Sequence, residues 1–164
     1  MAETLNVADM LPNKFEPKRK NRFVLAIEGI DSFLIATSGR PTWSSGDVEL
    51  PFMNSYRRIS TGRAKWDSIS VSLYDPIAPS GTQQVMEWIR THAETVSGRS
   101  GYADFYKRDI QIKILDPVGT VVELWDIKGA FLTSVSFGDL DYSSDGDVHM
   151  IDLDINFDNC ILQY

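Results

Sequence analysis

The sequence predicts a mainly β domain, an antiparallel sandwich or barrel-like arrangement with one packed helix. Three observations predict it. Apolar and polar residues alternate with period two in about nine separate segments. A single segment, about Pro79–Ala93, carries helical periodicity. The chain has 164 residues, 43% of them hydrophobic and 24% charged, which suits one ordinary domain with a real core.

The segments follow in order. Residues 1–20 lack periodicity and contain Pro12 and Pro17, so they are expected to form an N-terminal arm, with residues 21–164 as a single domain. Phe23, Leu25 and Ile27 alternate with Val24, Ala26 and Glu28 as a strand. Gly29–Ser32 turns, and Phe33 and Ile35 open a second strand that stops before Gly39-Arg40-Pro41. Val48, Leu50 and Phe52 alternate with Asp47, Glu49 and Pro51; a proline has no N–H to donate, which places this strand at an edge. Met53-Asn54-Ser55 leads back into Tyr56–Ser60. Ile69, Val71 and Leu73 alternate with Ser68, Ser70 and Ser72, and Asp75-Pro76 ends that strand. In the helical segment Val85, Met86, Ile89 and Ala93 share one side, and Pro79 or Ser80 suits its first turn. Strands resume at Ile110–Ile114, Val121–Lys128, Phe131–Phe137 and Ile151–Phe157, with Asp116-Pro117-Val118-Gly119 as a turn.

Composition narrows function. Lys and Arg number 16 and Asp and Glu 23, for a net charge of −7, which argues against a protein that grips nucleic acid. One cysteine excludes an internal disulfide framework and an all-Cys metal site. No apolar run is long enough to span a membrane, and the residues after Met1 have neither the basic nor the apolar region of a signal peptide. His92 and His149 fall in different elements, and no HExxH, CxxC, GxSxG or Gly-rich phosphate loop occurs. No enzyme and no cofactor is therefore expected, and Cys160, beside Ile161 and Leu162, is expected to be a small apolar residue. Asp141, Ser143, Asp145 and Asp152 imitate the spacing of a calcium loop with Gly146 at its sixth position. Asp152 is shorter than the usual bidentate Glu, and the flanks are strands, so ordinary turn chemistry is the preferred reading. A calcium-dependent β-sandwich binding module is the remote alternative.

Charge is unevenly divided. Residues 1–66 carry ten cations and seven acids, net +3, whereas residues 67–164 carry six cations and sixteen acids, net −10. Residues 129–164 hold seven aspartates and no Lys or Arg. Either this is a solvated acidic face, or the two halves meet between copies of the chain. Period two places Asp152, Asp154, Asn156 and Asp158 on one face at intervals of about 6.6–6.8 Å. Such a row faces water or another subunit's cations, because like charges cannot be buried unpaired. Ser68, Ser70 and Ser72 form a second polar face, small and uncharged.

Phe15–Phe23 leading into the first strand, the hairpin Leu50-Pro51-Phe52-Met53-Asn54, the strand Trp66–Asp75, the helix with Glu87-Trp88-Ile89, Ile127-Lys128-Gly129, and an acidic terminal hairpin follow one another along the chain. Together these stretches resemble the tail tube proteins of contractile-tailed bacteriophages. Their order spans nearly the whole chain. The resemblance implies two packed antiparallel sheets with a flanking helix and an extended hairpin, an architecture shared with type VI secretion tubes. It implies hexameric rings stacked into a hollow tube inside a sheath, in the virion, with DNA passing through the bore. Expected partners are the chain itself, the sheath protein, and baseplate and tube-terminator proteins, with no membrane. A tube initiator or a secretion-tube subunit is the alternative. Four strands from each of six subunits would close a barrel about 150 Å around and about 48 Å across, at roughly 4.8 Å between strands and ~40° tilt. Lumen-facing candidates are Ser68, Ser70, Ser72, Asp152, Asp154 and Asp158. Subunit-contact candidates are the basic arm (Lys18, Arg19, Lys20, Arg22), Arg57 and Arg58, and the exposed hairpin residues Leu50, Phe52, Met53 and Tyr56. A fold-back of that hairpin onto its own core is the competing possibility, and Trp43 and Trp66 at its base are expected to be core.

Overall fold

The computed structural model describes residues 14–164; the expected arm at residues 1–20 lies outside the described residues up to residue 13. Nine strands and two helices follow: β1 Phe23–Ile27, β2 Ile35–Ser38, β3 Trp43–Phe52, β4 Ser55–Trp66, β5 Ile69–Tyr74, α1 Gly81–His92, α2 Ala103–Tyr106, β6 Arg108–Leu115, β7 Val121–Ser136, β8 Met150–Asn156 and β9 Asn159–Leu162. All strand pairs are antiparallel.

The long strand β7 organises the domain. Its first half lies between β6 and β9, and its second half pairs with β8. Two four-stranded layers result, β1-β6-β7-β9 and β7-β8-β5-β2, joined through one bent strand. The corner is Gly129, at φ +67°; a Cβ there would stand 2.3 Å from the Asp158 carboxylate. Only glycine meets both demands without strain.

One core fills the space between the layers. Leu25, Ile27, Ile110, Ile112 and Ile127 come from the first layer and Ile69, Val71, Leu73, Ile151, Leu153 and Ile155 from the second. These are the inward positions of the period-two patterns. Helix α1 buries Val85 and Trp88 in the same core, and Trp88 donates its indole N–H to the Tyr106 carbonyl at 2.8 Å. At the helix start, Ser80 accepts from the Gln83 N–H. Asp75 accepts from the Thr82 N–H at 3.1 Å and from the Thr82 hydroxyl at 2.6 Å. The Thr82 hydroxyl bond and the adjacent backbone N–H groups hold the Asp75 carboxyl below the usual range, against a smaller opposing push from burial.

Some sequence expectations are corrected. Phe33 opens no strand: Ser32–Leu34 is a 3-10 turn and Phe33 is 69% exposed. The segments at Val121–Lys128 and Phe131–Phe137 are one strand, β7. A strand was not expected at Asn159–Leu162, nor a helix at Ala103–Tyr106. Trp43 is exposed at 58% rather than core, while Trp66 packs against the core edge.

Candidate functional site

The outer face of β7-β8-β5-β2 is the first candidate surface. Register pairs Ser70 with Asp154 and Ser72 with Asp152, and on the other flank Ser134 with Asp154 and Ser136 with Asp152. Each aspartate thus lies between two serines. The Ser70 hydroxyl donates to Asp154 at 2.7 Å and the Ser72 hydroxyl to Asp152 at 2.6 Å. These bonds orient the carboxylates without neutralising them. The four strand segments, Ile35–Ser38, Ile69–Tyr74, Met150–Asn156 and Phe131–Ser136, contain no Lys, Arg or His. The charged side chains of the face are therefore all anionic and its middle is small and polar, with Tyr74 opposite Met150 at one end.

Two expected members of that face lie elsewhere. Strand β8 ends at Asn156. Asp158 lies beyond it, with its carboxylate 2.6 Å from Lys107 Nζ. Ser68 precedes β5 and does not pair in the ladder. Ser134 and Ser136 were not singled out from the sequence, because their register against Asp154 and Asp152 depends on the bend and bulge of β7.

This layer also has two open edges. Among the described residues, β2 pairs only with β5, and the second half of β7 pairs only with β8. Unpaired N–H and C=O rows at both borders are templates for another chain.

The hairpin β3–β4 is the second surface. Its strands pair with each other and with no other strand, so it does not fold back on the core sheets. Facing pairs Val48–Ile59, Leu50–Arg57 and Phe52–Ser55 lie on one side; Asp47–Ser60, Glu49–Arg58 and Pro51–Tyr56 lie on the other. Arg58 is held on its own hairpin, 2.6 Å from Glu49 and over the Tyr56 ring. At the tip Met53 adopts φ +50° and is 93% exposed, a costly conformation for a residue with a Cβ.

The third surface is the basic arm. Lys18 and Arg40 both pair with Glu123, and the Trp125 indole N–H donates to the same carboxylate. Glu123 is the one charged residue buried among the described residues, at 6% exposure. Burial raises its pKa, but the Lys18 and Trp125 hydrogen bonds and the nearby Arg40 outweigh this and hold it below the usual range. Lys18 is therefore engaged within the chain, and Arg19 and Lys20 beside it are exposed.

Other candidates do not assemble into a chemical site. His92 stacks on Tyr106 at 4.3 Å, and His149 lies 3.6 Å from Asp75. Burial pushes the Cys160 thiol up to about 11, which makes it a poor nucleophile. Asp141 accepts from the Ser143 N–H and hydroxyl at 2.9 and 2.7 Å, which is turn chemistry. Asp152 of the calcium look-alike faces Ser72 in the sheet instead. Among the described residues no cluster of His, Cys, Asp and Glu fits a metal ion, and no helix is long and apolar enough to cross a membrane.

The fold is mainly β, with two antiparallel layers that share the bent strand β7, a main helix and a projecting hairpin. No family model and no curated protein matches the chain in sequence. Solved structures share its fold, three of them as follows. A chain of the sheath/tube terminator of an extracellular contractile injection system, PVC, in the extended state, superposes with a TM-score of 0.73 at 18% identity, covering 92% of this chain and 99% of that one. The tube-terminating cap of the anti-feeding prophage gives 0.72 at 17%, covering 97% and 99%. The PVC sheath-tube complex gives 0.69 at 16%, covering 98% and 99%.

Proposed function

We propose that this protein is a structural subunit of the hollow inner tube of a contractile tail, six copies closing a ring and rings stacking inside a sheath. The observation that carries this is the pairing of two open sheet edges with a cation-free outer face on the same four strands. The edge of β7 in one copy joins β2 of the next, a heterologous contact that closes when the rotation per copy divides a full turn. Closure leaves no exposed edge and turns the Ser70, Ser72, Asp152 and Asp154 face toward the bore. DNA passes along such a wall without binding, since no phosphate contact displaces counterions there. The apolar side of the hairpin (Leu50, Phe52, with Met53 at the tip) is covered by a neighbouring subunit. Partners are then further copies of the chain, the sheath, and baseplate and terminator proteins.

A second reading, a terminator or initiator ring, is favoured by the likeness to two terminating components. Electron microscopy of the purified protein separates the two. The tube reading expects hollow tubes of many rings, and the terminator reading single rings that cap tubes of another subunit. Protein that stays monomeric at high concentration, alone or with sheath and baseplate, overturns both. The bore assignment is tested by Asp152→Lys with Asp154→Lys. The expected result is intact tubes with impaired DNA ejection; normal ejection overturns the assignment.

A further inference from the structure

The two strongest charge concentrations outside the outer face of β7-β8-β5-β2 lie at opposite ends of that layer. Register fixes this. Tyr74 pairs with Met150 and Ile69 with Ile155; Ser136 pairs with Asp152 and Leu132 with Ile155. Tyr74, Met150 and Ser136 therefore share one end. The loop between β7 and β8, residues 137–149, leaves from there with Asp139, Asp141, Asp145 and Asp147 and no Lys or Arg. Strand β2 runs from Ile35, opposite Leu73, to Ser38, opposite Val71. Arg40 and the root of the hairpin thus lie at the other end.

At that second end a groove of about 340 Å³ opens between the arm, the end of β2 and β6. Lys18, Arg19, Lys20, Arg22 and Arg40 line it. Glu123, behind Lys18 and Arg40, offsets one of these charges and fixes two of the cations in place. The excess positive charge of the groove matches the four aspartates of the loop in number. The loop carries a second signal: Leu140, Tyr142 and Val148 stand 89%, 111% and 67% exposed, while the groove floor is apolar, built on Ile112 and Ile114. Large apolar side chains on an acidic loop have little reason to stay in water once an apolar floor ringed by cations is within reach.

We propose that the acidic β7–β8 loop of one copy seats in the basic groove of a copy in the next ring, as the head-to-tail contact that stacks rings. The proposal rests on the tube reading and adds to it the polarity and the residues of the stacking contact. Strands in a closed barrel tilt about 35–45° from its axis, so the two ends of this layer face successive rings. One end is acidic and the other basic, which permits stacking in one direction only and disfavours head-to-head meeting of like charges.

The test uses two charge reversals in the full chain, Asp145→Lys with Asp147→Lys in the loop, and Arg19→Glu with Lys20→Glu in the groove. All four positions are exposed, so both variants are expected to keep the wild-type circular dichroism and ring formation. Each alone is expected to raise the critical concentration for pelletable tubes by about tenfold or more, equivalent to ~1.4 kcal/mol per ring contact. An equimolar mixture is expected to recover assembly in part: half the contacts of an alternating stack then set an unchanged loop against an unchanged groove, and the other half set the two introduced lysines against the two introduced glutamates, whereas either variant alone has a neutral loop or a neutral groove at every contact. Tubes from either variant alone at wild-type concentration, or no recovery in the mixture, overturn the contact. As an independent readout, Lys20→Cys and Asp145→Cys variants mixed under oxidation are expected to give a covalent dimer on assembly; its absence from assembled tubes also overturns the contact. Wild-type protein that forms neither rings nor tubes overturns the tube reading itself and the contact with it. Wild-type tubes with charge-insensitive assembly overturn only the contact.

Discussion

Glu123 is the residue whose removal should report most directly on the basic arm. In Glu123→Ala the partners fare differently. Lys18 and Arg40 are 53% and 61% exposed at the side chain, so both regain water and lose little. The half-buried Trp125 N–H loses its acceptor, at the lower end of the about 1–3 kcal/mol that a fully buried unmade donor costs. The charge-assisted bonds add somewhat less than their usual ~1.5–3 kcal/mol because solvent screens the cations. The expected loss is about 2 kcal/mol for Glu123→Ala and about 1 for Glu123→Gln, which keeps an acceptor. At ~2–4 °C per kcal/mol for a domain of this size, Glu123→Ala lowers Tm by about 4–8 °C. Trypsin should cut at Lys18–Arg22 faster in both variants. The folded pKa lies below the ordinary 4.5, so this stability is full above that value and is lost as pH falls through the lower folded one. The gap between wild type and Glu123→Gln should therefore close in acid. An unchanged gap at low pH, or a Gln variant with wild-type Tm and a protected arm, refutes the reasoning.

Two further outcomes follow from the fold. Asp75→Ala removes the acceptor that anchors Thr82 at the start of α1; thermal unfolding should show a loss of about 1 kcal/mol at neutral pH, fading as acid protonates the wild-type carboxyl below its lowered pKa. Gly129→Ala places a Cβ against Asp158 and forces a left-handed conformation, for a cost of about 1–2 kcal/mol before the Lys107 pair is disturbed; denaturant titration measures it, and a neutral result would mean that β7 bends elsewhere.

Much of the layer architecture was legible because inward positions are aliphatic and strictly alternating, as in Ile151, Leu153 and Ile155. The bend of β7 was not. Gly129 divides two alternating runs, and in sequence a glycine there is equally a turn or a corner. Strand β9 was hidden by its length: Cys160-Ile161-Leu162 gives too few alternations to show a period. Trp43 misled because the hairpin stands alone, and a tryptophan at its root has no layer above it to enter. The Ser–Asp ladder was half visible. Ser70, Ser72, Asp152 and Asp154 came from alternation within each strand, but their mutual hydrogen bonds depend on which strands are neighbours. Asp158 was drawn into the row by a period that ends two residues earlier, at Asn156.

The same aspartates show why a wall can be charged and still inert toward a polyanion. Asp152 and Asp154 are about 6.8 Å apart along β8, and two carboxylates at that distance repel by about 0.6 kcal/mol in water. The Ser70 and Ser72 hydroxyls bind them, so no cation is needed to keep the row in place. In the proposed tube their field reaches about 8 Å into the bore at physiological salt. A duplex in the middle of the channel feels little of it; one that drifts toward the wall is pushed back. Exchanging the aspartates for lysines would invert the effect. Released counterions would make contact with the wall favourable, and six subunits per ring would repeat that attraction along the whole passage.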